Sequence, residues 1–310
     1  MNQQRQNFST LTVGAGRWEA NTFAASEFQR RARPTSKGTG YRPLRIAIAG
    51  GGTGGHLFPG LAIAQEFVLR NPRNEIIFVS TGNAFEKSVL APTDFRLHRI
   101  SVEGLKGRGL WNQFKSMVKL PRAIFQSMRI LQNFRPDLIV GLGSYSAGPL
   151  VMAAWLLRFP IVLHEQNILP GITNRMLSRL ADRIYVSFEH TKSRFARHKA
   201  LLTGNPVRKA ILDCARHPME TDYQRQPFTL LIIGGSQGAH RINMAVVEAL
   251  EHLERGEPLF FIHQTGAADA EVVQEAYRRQ GVSGRVQRFF NDMAAQYQEA
   301  HLVLCRAGAT

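Results

Sequence analysis

Ile48-Ala49-Gly50-Gly51-Gly52-Thr53-Gly54-Gly55-His56 and Ile232-Ile233-Gly234-Gly235-Ser236-Gln237-Gly238-Ala239-His240 are near copies of each other. Each follows an apolar, strand-like run, Leu44 to Ala49 in the first case and Phe228 to Ile233 in the second, and each opens onto a helical pattern. Each therefore reads as the strand, tight turn and helix start of a nucleotide-binding α/β unit. One such loop is a weak signal. Two in register, with glycines at 50 and 234, 51 and 235, 54 and 238 and histidines at 56 and 240, predict two similar domains facing each other across a cleft.

Outward from the first loop, apolar runs recur at 44–49, 75–80, 97–102, 137–142, 160–164 and 183–187, short and bounded by Gly, Pro or Asn. Helical stretches such as Pro59 to Leu69 and Ser146 to Leu157 lie between them. Continuous apolar strands alternating with helices predict a doubly wound parallel sheet. Thr203-Gly204-Asn205-Pro206-Val207-Arg208 reads as a turn and sets the expected boundary between a first domain, 44–207, and a second, 208–310. The second domain repeats the rhythm with strands near 228–233, 258–263, 285–290 and 301–305 and helices near 240–253, 268–279 and 292–299. It closes on Arg306-Ala307-Gly308-Ala309-Thr310 with no covering helix, where a domain of the usual size has about two more strand–helix units, so the second domain is expected to be incomplete. Residues 1–43, polar and basic with little periodicity, are expected to form a disordered arm, either passive or attached to lipid through its charges.

Among 310 residues, 39 Lys and Arg stand against 23 acids, a net charge of +16 that favours polyanionic partners: nucleic acid, an anionic bilayer or phosphorylated substrates. The basic residues are dispersed and carry no RRM, KH or helix-turn-helix signature, so nothing beyond charge supports nucleic acid. Cys214 and Cys305 have neither disulfide-framework nor zinc-site spacing, which suits a reducing cytoplasm. The longest candidate span, Val151 to Leu157, is stopped by Arg158 and Pro160, and the first seven residues lack a secretory apolar region; membrane contact is expected to be peripheral.

The first loop formally contains Gly50-x-Gly52-x-x-Gly55, yet the second strand ends in Ser80-Thr81-Gly82 with no carboxylate for a ribose, which argues against hydride transfer. No GxxxxGK[ST] segment is present for a P-loop phosphotransferase. What remains are loops whose amides and helix N-termini favour negative charge, with Thr53, Ser236 and Gln237 adding side-chain donors. A third loop, Gly141 to Pro149, offers Ser144 and Tyr145 at the same sheet edge. His164-Glu165-Gln166-Asn167, at a strand end, is expected to point into the cleft; a strand-end polar cap is the alternative. No Asp-x-Asp or HExxH motif calls for a metal.

Taken in order, Gly51 to Ala62, the loop at 141–149, His164 to Asn167, Gly204 to Arg208, Gly234 to Ala239 and Cys305 to Ala309 resemble the MurG family of bacterial glycosyltransferases over about residues 44–310. The resemblance implies a GT-B fold of two Rossmann-like domains. It implies inverting transfer of N-acetylglucosamine from UDP-N-acetylglucosamine to the C4 hydroxyl of undecaprenyl-linked lipid I, a step of peptidoglycan synthesis that serves cell shape and division. No cofactor and no nucleic acid are implied. The expected place is the cytoplasmic face of the cell membrane, against an anionic surface and beside other cell-wall synthesis proteins. Carried over by motif, Thr53, Gly54, Gly55 and Asn167 contact the donor from the first domain. Arg208 and Ser236 lie on the diphosphate side, Gln237 also binds the donor, Phe290 lies against uracil through its backbone, and Ala309 and Thr310, also on the donor, begin a stretch that the family continues into a Ser-Glu pair and a later Gln. Ser144, Tyr145, His164 and Asn174 fall on the acceptor side. The other reading is a truncated, non-catalytic relative that retains acceptor or membrane binding.

Such a transfer needs a base for the attacking hydroxyl and positive potential for the departing diphosphate. His56 is the first candidate base and Glu165 the second; the alternative for His56 is a hydrogen bond to the loop or the acceptor. Leu110, Trp111, Phe114, Lys115 and Lys119 open a stretch with apolar residues at helical spacing and basic residues alongside, either an interfacial helix on anionic lipid or a core helix with a solvated basic face.

Overall fold

The computed structural model describes residues 42–102, 110–216, 227–253 and 258–306, with the backbone alone at 110–119 and 216. Nearly all of the expected arm, together with Ala309 and Thr310, lies outside these residues.

Seven parallel strands form the first sheet: β1 (Arg45–Ala49), β2 (Glu75–Ser80), β3 (Arg96–Arg99), β4 (Leu138–Gly141), β5 (Ile161–Glu165), β6 (Arg183–Val186) and β7 (Ala200–Leu202). Their order is β3-β2-β1-β4-β5-β6-β7, so the chain runs outward in both directions from β1 and β4. β4 and β5 are buried at every residue and β1 at all but its first, which is why they read as unbroken apolar runs. β7 is unannounced in the sequence because three residues carry no usable period; its pairing with β6 defines it. The helices between are α1 (Gly54–Arg70), α2 (Ala84–Leu90), α3 (Leu110–Phe134), α4 (Ser144–Leu156), α5 (Ile172–Leu177) and α6 (Glu189–Lys192). α4 is apolar around most of its circumference and is buried through Ala147, Leu150, Val151, Ala153 and Ala154.

Residues 203–208 carry no regular structure. After them come α7 (Lys209–Arg216), β8 (Phe228–Ile233), α8 (His240–Leu250), β9 (Leu259–Gln264), α9 (Ala270–Gln280), β10 (Gly284–Gln287), α10 (Met293–Glu299) and β11 (Leu302–Cys305). The four strands are parallel in the order β10-β9-β8-β11. Alternation sends Leu231 and Ile262 to one face, with Phe290 and Met293, and Ile232 and Phe261 to the other, with Val246, Leu250, Val273 and Tyr277. α7 joins this half: Ile211 packs on the first of these clusters and the Cys214 thiol lies 3.7 Å from the Ala294 carbonyl.

Two histidines are built into the sheets. His164 in β5 and His263 in β9 are buried, and burial pushes each imidazole from 6.5 down to about 4; the Gly204 carbonyl and Glu165 oppose the shift at His164, and Asp269 opposes it at His263. The unfolded chain therefore binds these protons first as pH falls. The stability from keeping both rings neutral is intact above pH 6.5 and is lost as pH drops toward 4. Thermal melts across that window are expected to lose roughly a few kcal/mol of stability. A melting temperature that stays level from pH 7 to 4.5 would contradict this account.

Candidate active site

The first glycine loop joins β1 to α1 at the point where the strand order turns, between β1 and β4, the place where open α/β sheets bind ligands. Gly50 is required by packing: a Cβ there would stand 2.6 Å from the Leu142 Cβ. A carboxylate holds the loop from below. Glu86 in α2 is fully buried and accepts from the Gly52 amide at 2.6 Å, the Gly82 amide at 2.6 Å, the Ser80 hydroxyl at 2.7 Å and the Asn83 amide at 3.1 Å. The Gly52 N–H is thus committed to Glu86, contrary to the expectation that the loop amides generally face an anion. The acid absent from the end of β2 arrives from the next helix, and its signal was the capping box Asn83-x-x-Glu86. Thr53 is the exposed N-cap of α1 and makes no side-chain capping bond.

His56, in the first turn of α1, places Nδ1 2.8 Å from the Leu142 carbonyl. A carbonyl only accepts, so Nδ1 carries the proton and Nε2 keeps its lone pair. Burial holds the imidazole below 6.5, against the opposing pull of the Leu142 carbonyl, the Glu165 charge and Gln166. The third loop closes against this ring: a Cβ on Gly143 would lie 3.4 Å from His56 Cε1, and one on Gly52 would lie 3.6 Å from the Tyr145 ring. Ser144 has φ 67°, a left-handed conformation that a serine adopts only where its surroundings impose it.

Of the residues expected to point into the cleft, His164, Glu165 and Gln166 are buried instead, as is Asn174. Glu165 Oε1 accepts from the Asn167 amide at 2.9 Å and from Asn167 Nδ2 at 3.0 Å; Oε2 accepts from the Gly171 amide at 3.0 Å and Asn174 Nδ2 at 2.9 Å. Asn174 also donates to the His164 carbonyl, and His164 Nε2 meets the Gly204 carbonyl at 3.1 Å. The strand end is interior because loops 166–171 and 203–205 fold over it; most of its polar atoms find protein partners, whereas His164 Nδ1, Gln166 Oε1 and Asn174 Oδ1 are buried without one. Of the four residues, Asn167 is the exposed one. Glu165 has four donors and no room for a proton in transit. Glu165→Gln turns an amide toward those donors and is expected to lower stability by roughly 2–4 kcal/mol. An unchanged melting temperature with selectively lost turnover would instead restore Glu165 as the base.

From the second half, Ser236 and Gln237 sit in the Gly234–Ala239 loop. The Ser236 hydroxyl accepts from the Gly54 amide at 3.2 Å, bridging the two halves. Arg208 lies with its guanidinium 4.3 Å above the Phe58 ring, and burial lowers its pKa against the pull of Tyr297 and Asp292. Phe58 stacks on Phe289 with centroids 6.4 Å apart, and Phe85 meets both rings edge-on. The Phe290 ring belongs to the core and its amide donates to Gln264 Oε1 at 2.9 Å, so that N–H is not open to a base. The two histidines in register part company: His240 turns to Asp269, Nδ1 to Oδ1 2.9 Å, not to the crevice.

Residues 46–186 match the glycosyltransferase family 28 N-terminal domain and residues 229–310 the family 28 C-terminal domain. A protein of Syntrophus aciditrophicus (strain SB) named "UDP-N-acetylglucosamine--N-acetylmuramyl-(pentapeptide) pyrophosphoryl-undecaprenol N-acetylglucosamine transferase" is 47% identical over 268 residues, covering 86% of this chain and 73% of its own. The crystal structure of Acinetobacter baumannii MurG superposes with a TM-score of 0.59 at 31% identity over 86% of this chain and 73% of that one. The chain belongs to the MurG family. A second relative of the same name, from Geobacter sulfurreducens, is 45% identical over 86% of this chain and 74% of its own. The fold alone extends further, to the UDP-GlcNAc 2-epimerase of Neisseria meningitidis, with a TM-score of 0.58 at 13% identity.

In this MurG-family chain the structure brings Thr53, Gly54, Gly55, His56, Ser144 and Tyr145 to one sheet edge, with Ser236 opposite. Ala309 and Thr310 lie outside the described residues, and for Leu110, Trp111, Phe114, Lys115 and Lys119 the backbone alone is described, within α3. Motif reading passed over Glu86, Phe58, Phe85 and Phe289. Glu86 was discoverable from its cap, but the three rings meet through tertiary folding and left no local pattern.

Proposed function

We propose that the chain transfers N-acetylglucosamine from UDP-N-acetylglucosamine to the C4 hydroxyl of an undecaprenyl-pyrophosphoryl N-acetylmuramyl-pentapeptide, making lipid II from lipid I. The observation that carries this reading is His56, an imidazole that Nδ1 ties to the Leu142 carbonyl and burial keeps neutral, at the β1/β4 crevice opposite the Ser236 loop. The acceptor hydroxyl gives its proton to Nε2, its oxygen bonds to sugar C1, and the C1–oxygen bond to UDP breaks with the electron pair leaving on the diphosphate. Arg208, the Ser236 hydroxyl and the Gly54 and Gly55 amides favour that charge once the donor parts Ser236 from Gly54 and draws Arg208 off the Phe58 ring. Glu165 is a positioning residue that presents Asn167. Residues 44–207 take the acceptor and 208–310 the donor.

Among the described residues no helix is long and apolar enough to cross a membrane. Ile168, Leu169, Ile172 and Met176 nonetheless stand exposed on α5 and the loop before it, as do Trp155 and Leu156 at the end of α4, which packs on α5. With the net charge of +16, such residues suit peripheral attachment to an anionic leaflet on the cytoplasmic face. Co-sedimentation with anionic vesicles is expected, weakening with salt; equal recovery with neutral and anionic vesicles would remove the attachment. The transfer itself is tested by following labelled N-acetylglucosamine from its UDP donor to a soluble lipid I analogue. A folded chain that yields UDP and free sugar but no disaccharide would defeat the reading.

A further inference from the structure

The first sheet has a second concavity, at the opposite edge from its glycine loop. β1, β2 and β3 begin at Arg45, Glu75 and Arg96, and where they begin, alongside the last turns of α3, lies an open cavity of about 640 Å³. It shares no lining residue with the crevice around His56 and stands a strand's length from it, roughly 17–20 Å. Strand alternation sets its floor. Arg45 pairs with Glu75, and Arg96 and His98 pair with Ile77 and Val79, so these side chains leave the sheet on one face. It is the face whose core Ile77 and Val79 share with Ile130 and Phe134 of α3. β3 is the edge strand, and no further strand flanks Arg96 and His98. Arg129 and Asn133 line the cavity from α3, beside Ile130 and Phe134.

The charges of this cavity do not cancel. Glu75 is taken by Arg45, at 3.4 Å. Arg45 lies over the Phe134 ring, 4.6 Å from its centroid, and its Nε is buried with no acceptor. Arg96 and Arg129 are exposed, and among the described residues neither forms an ion pair, not even with Asp94, the other carboxylate of the lining. Arg129 rests instead on the Phe125 ring, 4.5 Å from its centroid, a weak contact where water reaches it. Burial, and after it the Arg96 charge, hold the His98 imidazole below 6.5. The carboxyl end of α3 opens on the same edge and favours a cation, which accounts for one arginine rather than three. Two unpaired guanidinium forks beside an apolar wall suit a small molecule with a doubly charged head and an apolar body, since a dianion satisfies both forks where a carboxylate satisfies one. The volume is that of a small-molecule site. We infer that this cavity binds a soluble organic monophosphate, its phosphate between Arg96 and Arg129 and its body against Ile77, Ile130 and Phe134. Arg45 Nε offers that ligand a further donor. The site is separate from the transfer crevice, and the inference does not rest on the transfer reading.

The test titrates the full 310-residue chain with naphthyl phosphate, naphthol and inorganic phosphate, each with and without excess UDP. Naphthyl phosphate is expected to bind at one site, undiminished by UDP, and about 10-fold or more tighter than either naphthol or inorganic phosphate, because only it engages both wall and forks. Arg96→Gln and Arg129→Gln are each expected to weaken it about 10- to 100-fold, the loss of a charged hydrogen bond, with the melting temperature of the free chain unchanged because neither arginine holds an ion pair. Asn133→Trp, at an exposed position of the wall, fills the space and is expected to weaken it as much. Arg194→Gln, an exposed arginine outside the lining, is expected to leave it unaltered. Displacement by UDP overturns the inference, as does affinity unchanged in Arg96→Gln and Arg129→Gln or lost equally in Arg194→Gln. Naphthol bound as tightly as its phosphate overturns it too, leaving an apolar groove. Retention on phosphatidic acid vesicles that falls in Arg96→Gln, without any binding of naphthyl phosphate, would give the arginines to a membrane and overturn it likewise.

Discussion

Replacing His56 by alanine is expected to lower kcat roughly 100- to 10,000-fold while leaving the fold and donor affinity close to those of the unsubstituted chain. The structural cost is small because the Leu142 carbonyl keeps a second donor, Gln166 Nε2 at 3.2 Å. The chemical cost is large because the Nε2 lone pair is the group placed to take the acceptor proton. The sign of the pH dependence follows from burial. The imidazole sits below its usual 6.5, so the base form persists into mildly acidic solution and the acidic limb of the kcat profile lies below pH 6.5. That limb should vanish in the variant. A variant that keeps its turnover, or that loses it in proportion to a fallen melting temperature, would show that His56 only ties the loop.

Gly238→Ala is expected to be the most damaging single methyl in the second half. Gly238 has φ +79°, and a Cβ there runs into the Thr265 carbonyl oxygen; Gly266, at φ +76°, meets the Gln237 carbonyl in the same way from the facing turn. Backbone is pressed on backbone, so no side chain can swing aside, and the turns after β8 and β9 must part. A loss of roughly 3–5 kcal/mol is expected, with UDP binding lost alongside. Gly281→Ala provides the comparison. Gly281 ends α9 in the left-handed conformation at φ +65°, and nothing stands within 4 Å of a Cβ there, so only the conformational cost of about 1 kcal/mol applies. Denaturant melts of the two variants measure the difference; similar losses would mean that backbone strain, not collision, governs both sites.

Much of the architecture was legible because the signals were local. Strand-glycine loop-helix units announced both sheets, and Asn83-x-x-Glu86 was open to reading as a helix cap. Orientation was less legible. Polar residues at the end of β5 look the same in sequence whether they face solvent or lie beneath a loop, and only the fold-over of 166–171 decides that His164 and Glu165 are interior. Register also misled: position 56 and position 240 coincide in the aligned loops, yet the nearest acceptor is a carbonyl across the strand-order turn for one and the Asp269 carboxylate for the other. Sequence likeness between the loops carries the backbone path, while the neighbours that decide a side chain's direction come from different strands.

The contact between Ser236 and Gly54, and the seating of Arg208 on Phe58, mean that the cleft is occupied by its own lining. Groups suited to a nucleotide already satisfy one another, so a donor enters by exchange and its observed affinity is what remains after those contacts are surrendered. Cohesion between the halves and grip on the ligand therefore draw on the same few atoms, and a stronger seal between the halves is a weaker hold on what lies between them.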